Sequence, residues 1–130
     1  MPTRKAEKLA SLDAVFDEMK ALLARHAGLF TVREGYVKNK RDYHLILEKQ
    51  VVIDGRPRKE LWFASIIQQK DSVGFYFTPP DVKEKLSPEL LSHLDGKSCF
   101  HFKSLTPALK KDLATALKLG LEAYRKKNWL

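Results

Sequence analysis

A single cysteine, Cys99, stands in the 130 residues, so no internal disulfide can form, and a lone thiol suits a reducing compartment. Long apolar runs are missing too. The longest uncharged apolar tract, Leu61 to Ile67, has the length of a strand and falls far short of a bilayer span. The N-terminal Met-Pro-Thr-Arg-Lys-Ala-Glu lacks the apolar stretch of a secretory signal, so the chain reads as cytoplasmic, with no membrane partner. Internal repeats, low-complexity segments and interdomain linkers are absent. No catalytic constellation stands out and no cofactor motif is present. Gly96-Lys97-Ser98 lacks the upstream glycine of a phosphate-binding loop and precedes a strand, so it reads as a helix-ending glycine followed by a turn.

What is present describes one globular domain spanning residues 1–130, with 44% apolar and 31% charged residues. Twenty-four Lys and Arg against 16 Asp and Glu leave a formal charge of +8. Such a balance suits a polyanion, because counterion release drives binding in proportion to the phosphates neutralised. The basic residues are nonetheless scattered: Arg4-Lys5, Lys38-Asn39-Lys40-Arg41, Arg56-Pro57-Arg58-Lys59, Lys110-Lys111 and Arg125-Lys126-Lys127 each fall at a terminus, a turn or a helix's polar face. That placement favours solubility over a nucleic-acid site.

From Ala6 to His26, Leu9, Leu12, Phe16, Met19, Leu22, Leu23 and His26 recur at helical steps, and Gly28 offers a left-handed stop. Thr31 to Val37 and Tyr43 to Ile53 read as strands around a polar tip, the second bent or bulged at Glu48-Lys49-Gln50. Asp54-Gly55-Arg56-Pro57 is a turn into Glu60 to Gln69, and Lys70-Asp71-Ser72 a second reversal into Val73 to Thr78, which Pro79-Pro80 ends. Ser87 caps a short helix with Pro88 at its first position, closed by Gly96. Ser98 to Lys103 is the last strand. Thr106-Pro107 then opens a long helix striped by Leu109, Leu113, Ala116, Leu117, Gly120, Leu121 and Tyr124. This order predicts an α+β two-layer sandwich, an antiparallel sheet of about five strands with the N- and C-terminal helices on one face. Phe75, Phe77, Phe100 and Phe102 are expected to share a core with Phe16, Leu113 and Leu117.

At Glu60-Leu61-Trp62-Phe63-Ala64, Gln69-Lys70, Val73-Gly74-Phe75-Tyr76-Phe77, Ser87-Pro88-Glu89-Leu90-Leu91 and Gly96-Lys97-Ser98-Cys99-Phe100-His101-Phe102-Lys103, the sequence resembles the DUF1801 (YdhG-like) family. The resemblance implies a small bacterial cytoplasmic α+β domain of unassigned activity, one branch of the family being described as a frataxin-like iron chaperone. Iron handling of that kind rests on clustered surface carboxylates. Here Asp13, Asp17 and Glu18 share one helix side but stand among Lys8, Lys20 and Arg25, as ordinary solvated helix pairs do.

Strand alternation places Trp62, Tyr76 and His101 on the sheet face not used by Phe63, Phe75, Phe77, Phe100 and Phe102, with Lys70, Lys97 and Lys103 at its margins. Such a face suits stacking on a planar anionic ligand or on bases; the alternative is a cover, either the short helix or a second copy of the chain in a homodimer. Cys99 and His101, two apart, project together. A Cys-x-His pair could hold zinc or act as nucleophile and base, yet neither His44 nor His93 completes a set of ligands, and no Asn or Asp is assignable as orienter. No catalytic and no metal residues are therefore assigned. The expectation is a non-enzymatic domain that binds an unknown small ligand or protein partner through an open sheet face carrying Trp62, Lys70, Tyr76, Lys97, Cys99, His101 and Lys103. The rival readings are iron delivery and nucleic-acid binding.

Overall fold

The computed structural model describes residues 4–35, 40–79, 82–96 and 98–130, and for residues 4–10 the backbone alone. Helix α1 (Arg4–Ala24) leads through a single 3₁₀ turn to β1 (Thr31–Glu34), β2 (Asp42–Leu47), β3 (Val51–Ile53), β4 (Arg56–Arg58), β5 (Leu61–Gln68) and β6 (Val73–Phe77). A second 3₁₀ turn, the one-turn helix α2 (Pro88–Leu91), β7 (Leu94–Asp95), β8 (Cys99–Phe102) and the long α3 (Pro107–Lys126) follow. Six strands form one sheet in the order β1-β2-β5-β6-β8-β7, every pair antiparallel, so the α+β architecture stands with one strand more than expected. Strands β3 and β4 make a separate two-stranded ribbon. No helix among the described residues is long and apolar enough to cross a membrane.

Both long helices cover the same face. The α1 stripe of Leu12, Phe16, Met19, Leu22 and Leu23, joined by Val15, meets the α3 stripe and the strand side chains Phe63, Phe75, Phe77, Phe100 and Phe102 in one cluster. Thr106 caps α3 by accepting the Leu109 amide at 3.1 Å, and Ser87 does the same for Leu90, as the cap-and-proline signals required. Leu9, Val37, the tip residues Lys38 and Asn39, Pro80 and Lys97 lie outside what the structure describes in side-chain detail.

Several local expectations are corrected. Gly28 sits inside the 3₁₀ turn without positive φ, because α1 already stops at Ala24. The short helix stops at Leu91, leaving Leu94 and Asp95 free to pair with β8, so Gly96 (φ +81°) turns a hairpin and ends no helix. Pro57 does not interrupt pairing but faces Val52 in the ribbon, on whose margins a missing donor is tolerated. Asp13 and Asp17 are bonded by Arg41 from the approach to β2 (3.3 and 2.6 Å), and Glu18 by Lys110 of α3 (3.2 Å), so among the described side chains they tie layers together rather than pair within α1.

Candidate ligand-binding cleft

Cross-strand partners share a face, so Arg33, His44, Ser65, Tyr76 and Cys99 form a row on the side away from the helices, and Asp42, Ile67, Gly74 and His101 a second. Trp62 reaches this side through a bulge. Leu45 faces Ala64 and Ile46 faces Trp62, so Phe63 is the extra residue; it turns into the core while the indole beside it turns outward.

The face expected to be open is closed over β2. Asp42, His44 and Ile46 are 1%, 2% and 0% exposed. His44 is held on both ring nitrogens, Nε2 2.6 Å from Asp42 Oδ2 and Nδ1 2.8 Å from Ser65 Oγ, an arrangement that satisfies a buried imidazole but shuts it off from any substrate. The Trp62 ring stands edge-on to His44 at 5.0 Å and under the Arg33 guanidinium at 5.6 Å, and its Nε1 donates to Glu60 Oε1 at 3.0 Å. Arg33 in turn forks onto Glu60 at 3.2 and 2.9 Å. Those bonds from Arg33, then from Trp62, hold the Glu60 carboxyl below its ordinary range. The indole is therefore oriented before any ligand arrives.

Tyr76, Cys99 and His101 come together farther along the face. Gln69 Nε2 donates to Tyr76 Oη (3.0 Å), Tyr76 stands opposite Cys99 across the strands, Cys99 Sγ lies 3.3 Å from His101 Nε2, and His101 Nδ1 lies 3.1 Å from Ser72 Oγ. Gly74 leaves room for the Tyr76 ring, whose Cε2 lies 3.2 Å from where a Cβ would stand. Burial pushes the Cys99 thiol and the Tyr76 phenol up, so the sulfur is held as a thiol and not as the thiolate that reacts or ligates. Among the described residues no three His, Cys, Asp or Glu side chains gather as a metal requires. Lys70 in the β5–β6 turn and Lys103 after β8 are exposed at the end of the sheet opposite Trp62; Lys103 and His101 border a shallow groove of about 470 Å³. Lys97 lies outside the described residues. The six described residues of the expected seven are thus divided between the two ends of the sheet.

Trp62 belongs instead to a cleft of about 340 Å³ at the other end of the sheet, where β5 begins and β6 stops. It is lined by Ile53, Arg58, Glu60, Leu61, Trp62, Thr78, Tyr124 and Trp129. Trp129 is placed by the way α3 ends. Asn128 takes the left-handed conformation (φ +60°), the Trp129 amide donates to the Tyr124 carbonyl at 2.9 Å and the Asn128 amide to that of Arg125 at 3.0 Å. This is the Schellman pattern, which brings the residue two past the cap against the last turn; the Trp129 ring meets Tyr124 edge-on at 5.0 Å. Lys49, thrown toward α3 by the break after β2, donates to the carbonyls of Asn128 (2.6 Å) and Trp129 (3.1 Å) and fixes this end. On the floor Thr78 Oγ1 donates to the Trp62 carbonyl at 2.7 Å. Burial pushes the Tyr124 phenol up to about 12.

No family model, curated protein or solved structure matches this chain. Trp129, Thr78 and Arg58 are not among the expected site residues, Arg58 figuring only in a scattered basic cluster. The signal for Trp129 was nevertheless there, an Asn followed by a large ring five residues after the last striped residue of a helix, Tyr124.

Proposed function

We propose that this chain is a non-enzymatic binding domain that takes a small planar ligand into the cleft between Trp62 and Trp129. The observation that carries the reading is that two indoles and the Tyr124 ring converge on one cleft, each already fixed by partners of its own. A cleft of this size, mostly apolar with few polar groups, suits one ring system, and rigid aromatic walls lose little conformational entropy when they bind. The neutral thiol of Cys99 and the doubly bonded imidazole of His44 speak against chemistry elsewhere on the face. Membership of the DUF1801 (YdhG-like) family and a cytoplasmic setting belong to the same proposal.

The chain has only two tryptophans, so its two indole N–H resonances in an amide-correlation NMR spectrum both report on the cleft. A screen of neutral planar molecules (purines, indoles, naphthalenes) is expected to yield binders that shift both signals, and Trp129→Ala is expected to abolish the shift at Trp62. Binders that move His101 and Ser72 but neither indole would refute the proposal.

A further inference from the structure

We infer that the ligand of this cleft carries a phosphate chain, as a nucleotide does, with its base between Trp62 and Trp129 and its phosphates along Arg58 and Arg56; this rests on the reading of the cleft given above. The β3–β4 ribbon pairs Val51 with Arg58, Val52 with Pro57 and Ile53 with Arg56. Cross-strand partners share a face. Val51 and Ile53 pack against the core and Ile53 lines the cleft, so Arg58 and Arg56 stand on the cleft side, while Val52, 69% exposed, and Pro57 face outward. Two residues apart on one strand, the arginines are spaced about 7 Å along the rim. The Asp54-Gly55 turn, with φ of +52° and +75°, has the left-handed pair of a tight hairpin turn, which holds the ribbon in shape.

Charge decides the class of ligand. Arg33 and Arg41 are engaged by carboxylates, whereas Arg56 and Arg58 are exposed and make no ion pair among the described residues. The one acid lining the cleft, Glu60, is already bonded by Arg33 and by the Trp62 indole. A ligand entering here meets apolar rings below, the Arg58 guanidinium in the lining and that of Arg56 next along the same ribbon face, neither in an ion pair among the described residues, on a chain of net charge +8. Guanidinium binds phosphate through two parallel N–H···O bonds, and aromatic rings stack on any base face. A neutral aromatic would leave both forks unused, and free phosphate would leave the rings unused.

The experiment follows the two indole resonances and tryptophan fluorescence of the whole chain during titration with adenosine, AMP, ATP and a 5′-phosphorylated single-stranded oligonucleotide, for wild type, Arg56→Ala/Arg58→Ala and Trp129→Ala. Affinity is expected to rise from adenosine to AMP to ATP, by about tenfold for each arginine engaged. The double arginine variant should lose that gain, so that ATP binds it no more tightly than adenosine does, while keeping its melting temperature. A tighter oligonucleotide than ATP identifies the phosphate source as a strand end, and the reverse order a free nucleotide; both support the inference. Equal affinity for adenosine and ATP, or an ATP affinity that survives the double substitution, overturns it and leaves the cleft reading intact. No response to any nucleotide, when a planar molecule from the screen does bind, overturns it in the same way. No response to nucleotides or to the screen overturns both.

Discussion

Replacing Gly120 by alanine sets two opposed effects against each other at one atom. Gly120 lies inside α3 with ordinary helical φ, so alanine alone would stabilise the helix by about 1 kcal/mol. The added Cβ would stand 2.8 Å from Phe77 Cζ and 3.0 Å from Phe63 Cε1 and Cζ. Phe63 has nowhere to go. It is 0% exposed, stacked on Phe30 at 4.7 Å and met edge-on by Tyr124 at 5.0 Å and Phe77 at 5.8 Å. Phe77 is stacked in turn on Phe75 at 5.3 Å. Overpacking such a site costs about 1–3 kcal/mol, so the net result is a loss of about 1 kcal/mol, or a fall in Tm of about 3–6 °C for a domain of this size. Thermal melts followed by circular dichroism measure it, with Thr115→Ala as the control, since Thr115 is exposed on the same helix and should gain from its propensity alone. A Gly120→Ala chain that melts at or above wild type, beside a stabilised control, would show that the rings yield and that the packing argument is wrong.

Phe102→Ala, which empties a fully buried position against His93, is expected to cost about 3–5 kcal/mol in urea titration with little change in m-value. Ser65→Ala removes a bond from a buried imidazole and should cost about 1–3 kcal/mol, against no more than about 0.5 kcal/mol for an exposed serine such as Ser104. Lys49→Met leaves the helix-end carbonyls without their cationic donor; a loss of about 1 kcal/mol and a red shift of Trp129 emission are expected from melts and fluorescence. The Tyr124 phenol keeps its proton to about pH 12 in the folded chain and to about 10 in the unfolded one, so the folded state holds more protons in between. Its contribution is complete below pH 10 and drains away as pH rises toward 12, about 2–3 kcal/mol in all; Tyr124→Phe should flatten that alkaline limb of a stability-versus-pH series.

The two helices and the side of the sheet they cover were legible because their signals are local and periodic: a stripe such as Leu109, Leu113, Leu117 and Leu121 has one reading, and Phe75, Phe77, Phe100 and Phe102 alternate as strand residues facing a core must. Glycine was less informative. Gly28 and Gly96 each follow a helical pattern, but competing pairings, a 3₁₀ turn in one case and the β7–β8 hairpin in the other, took the chain before the glycine could act as a cap. Trp62 was placed on its true face, although strict alternation through Ala64 and Ile66 would have turned it inward; the bulge at Phe63 resolves the conflict, and nothing in the local sequence marks a bulge there. The division of the expected face into a sealed part over β2, a bonded row at Tyr76 and His101 and a cleft at Trp62 depends on register and on where α3 ends. Both are set by contacts between residues far apart in the chain, which periodicity does not carry.

The buried trio of Asp42, His44 and Ser65 has a bearing on how the strands find one another. The strand carrying Asp42 and His44 adds little net free energy through them, since desolvation offsets most of what the bonds return. Slide that strand by a single residue, however, and the carboxylate and the imidazole turn from the outer face into the phenylalanine core, while His44 parts from Ser65. Misalignment is thereby penalised by several buried polar groups at once, each at about 1–3 kcal/mol, while the native alignment is left almost untaxed. The three residues act as a key cut for one lock position, and with it they fix where Trp62 emerges at the end of the sheet.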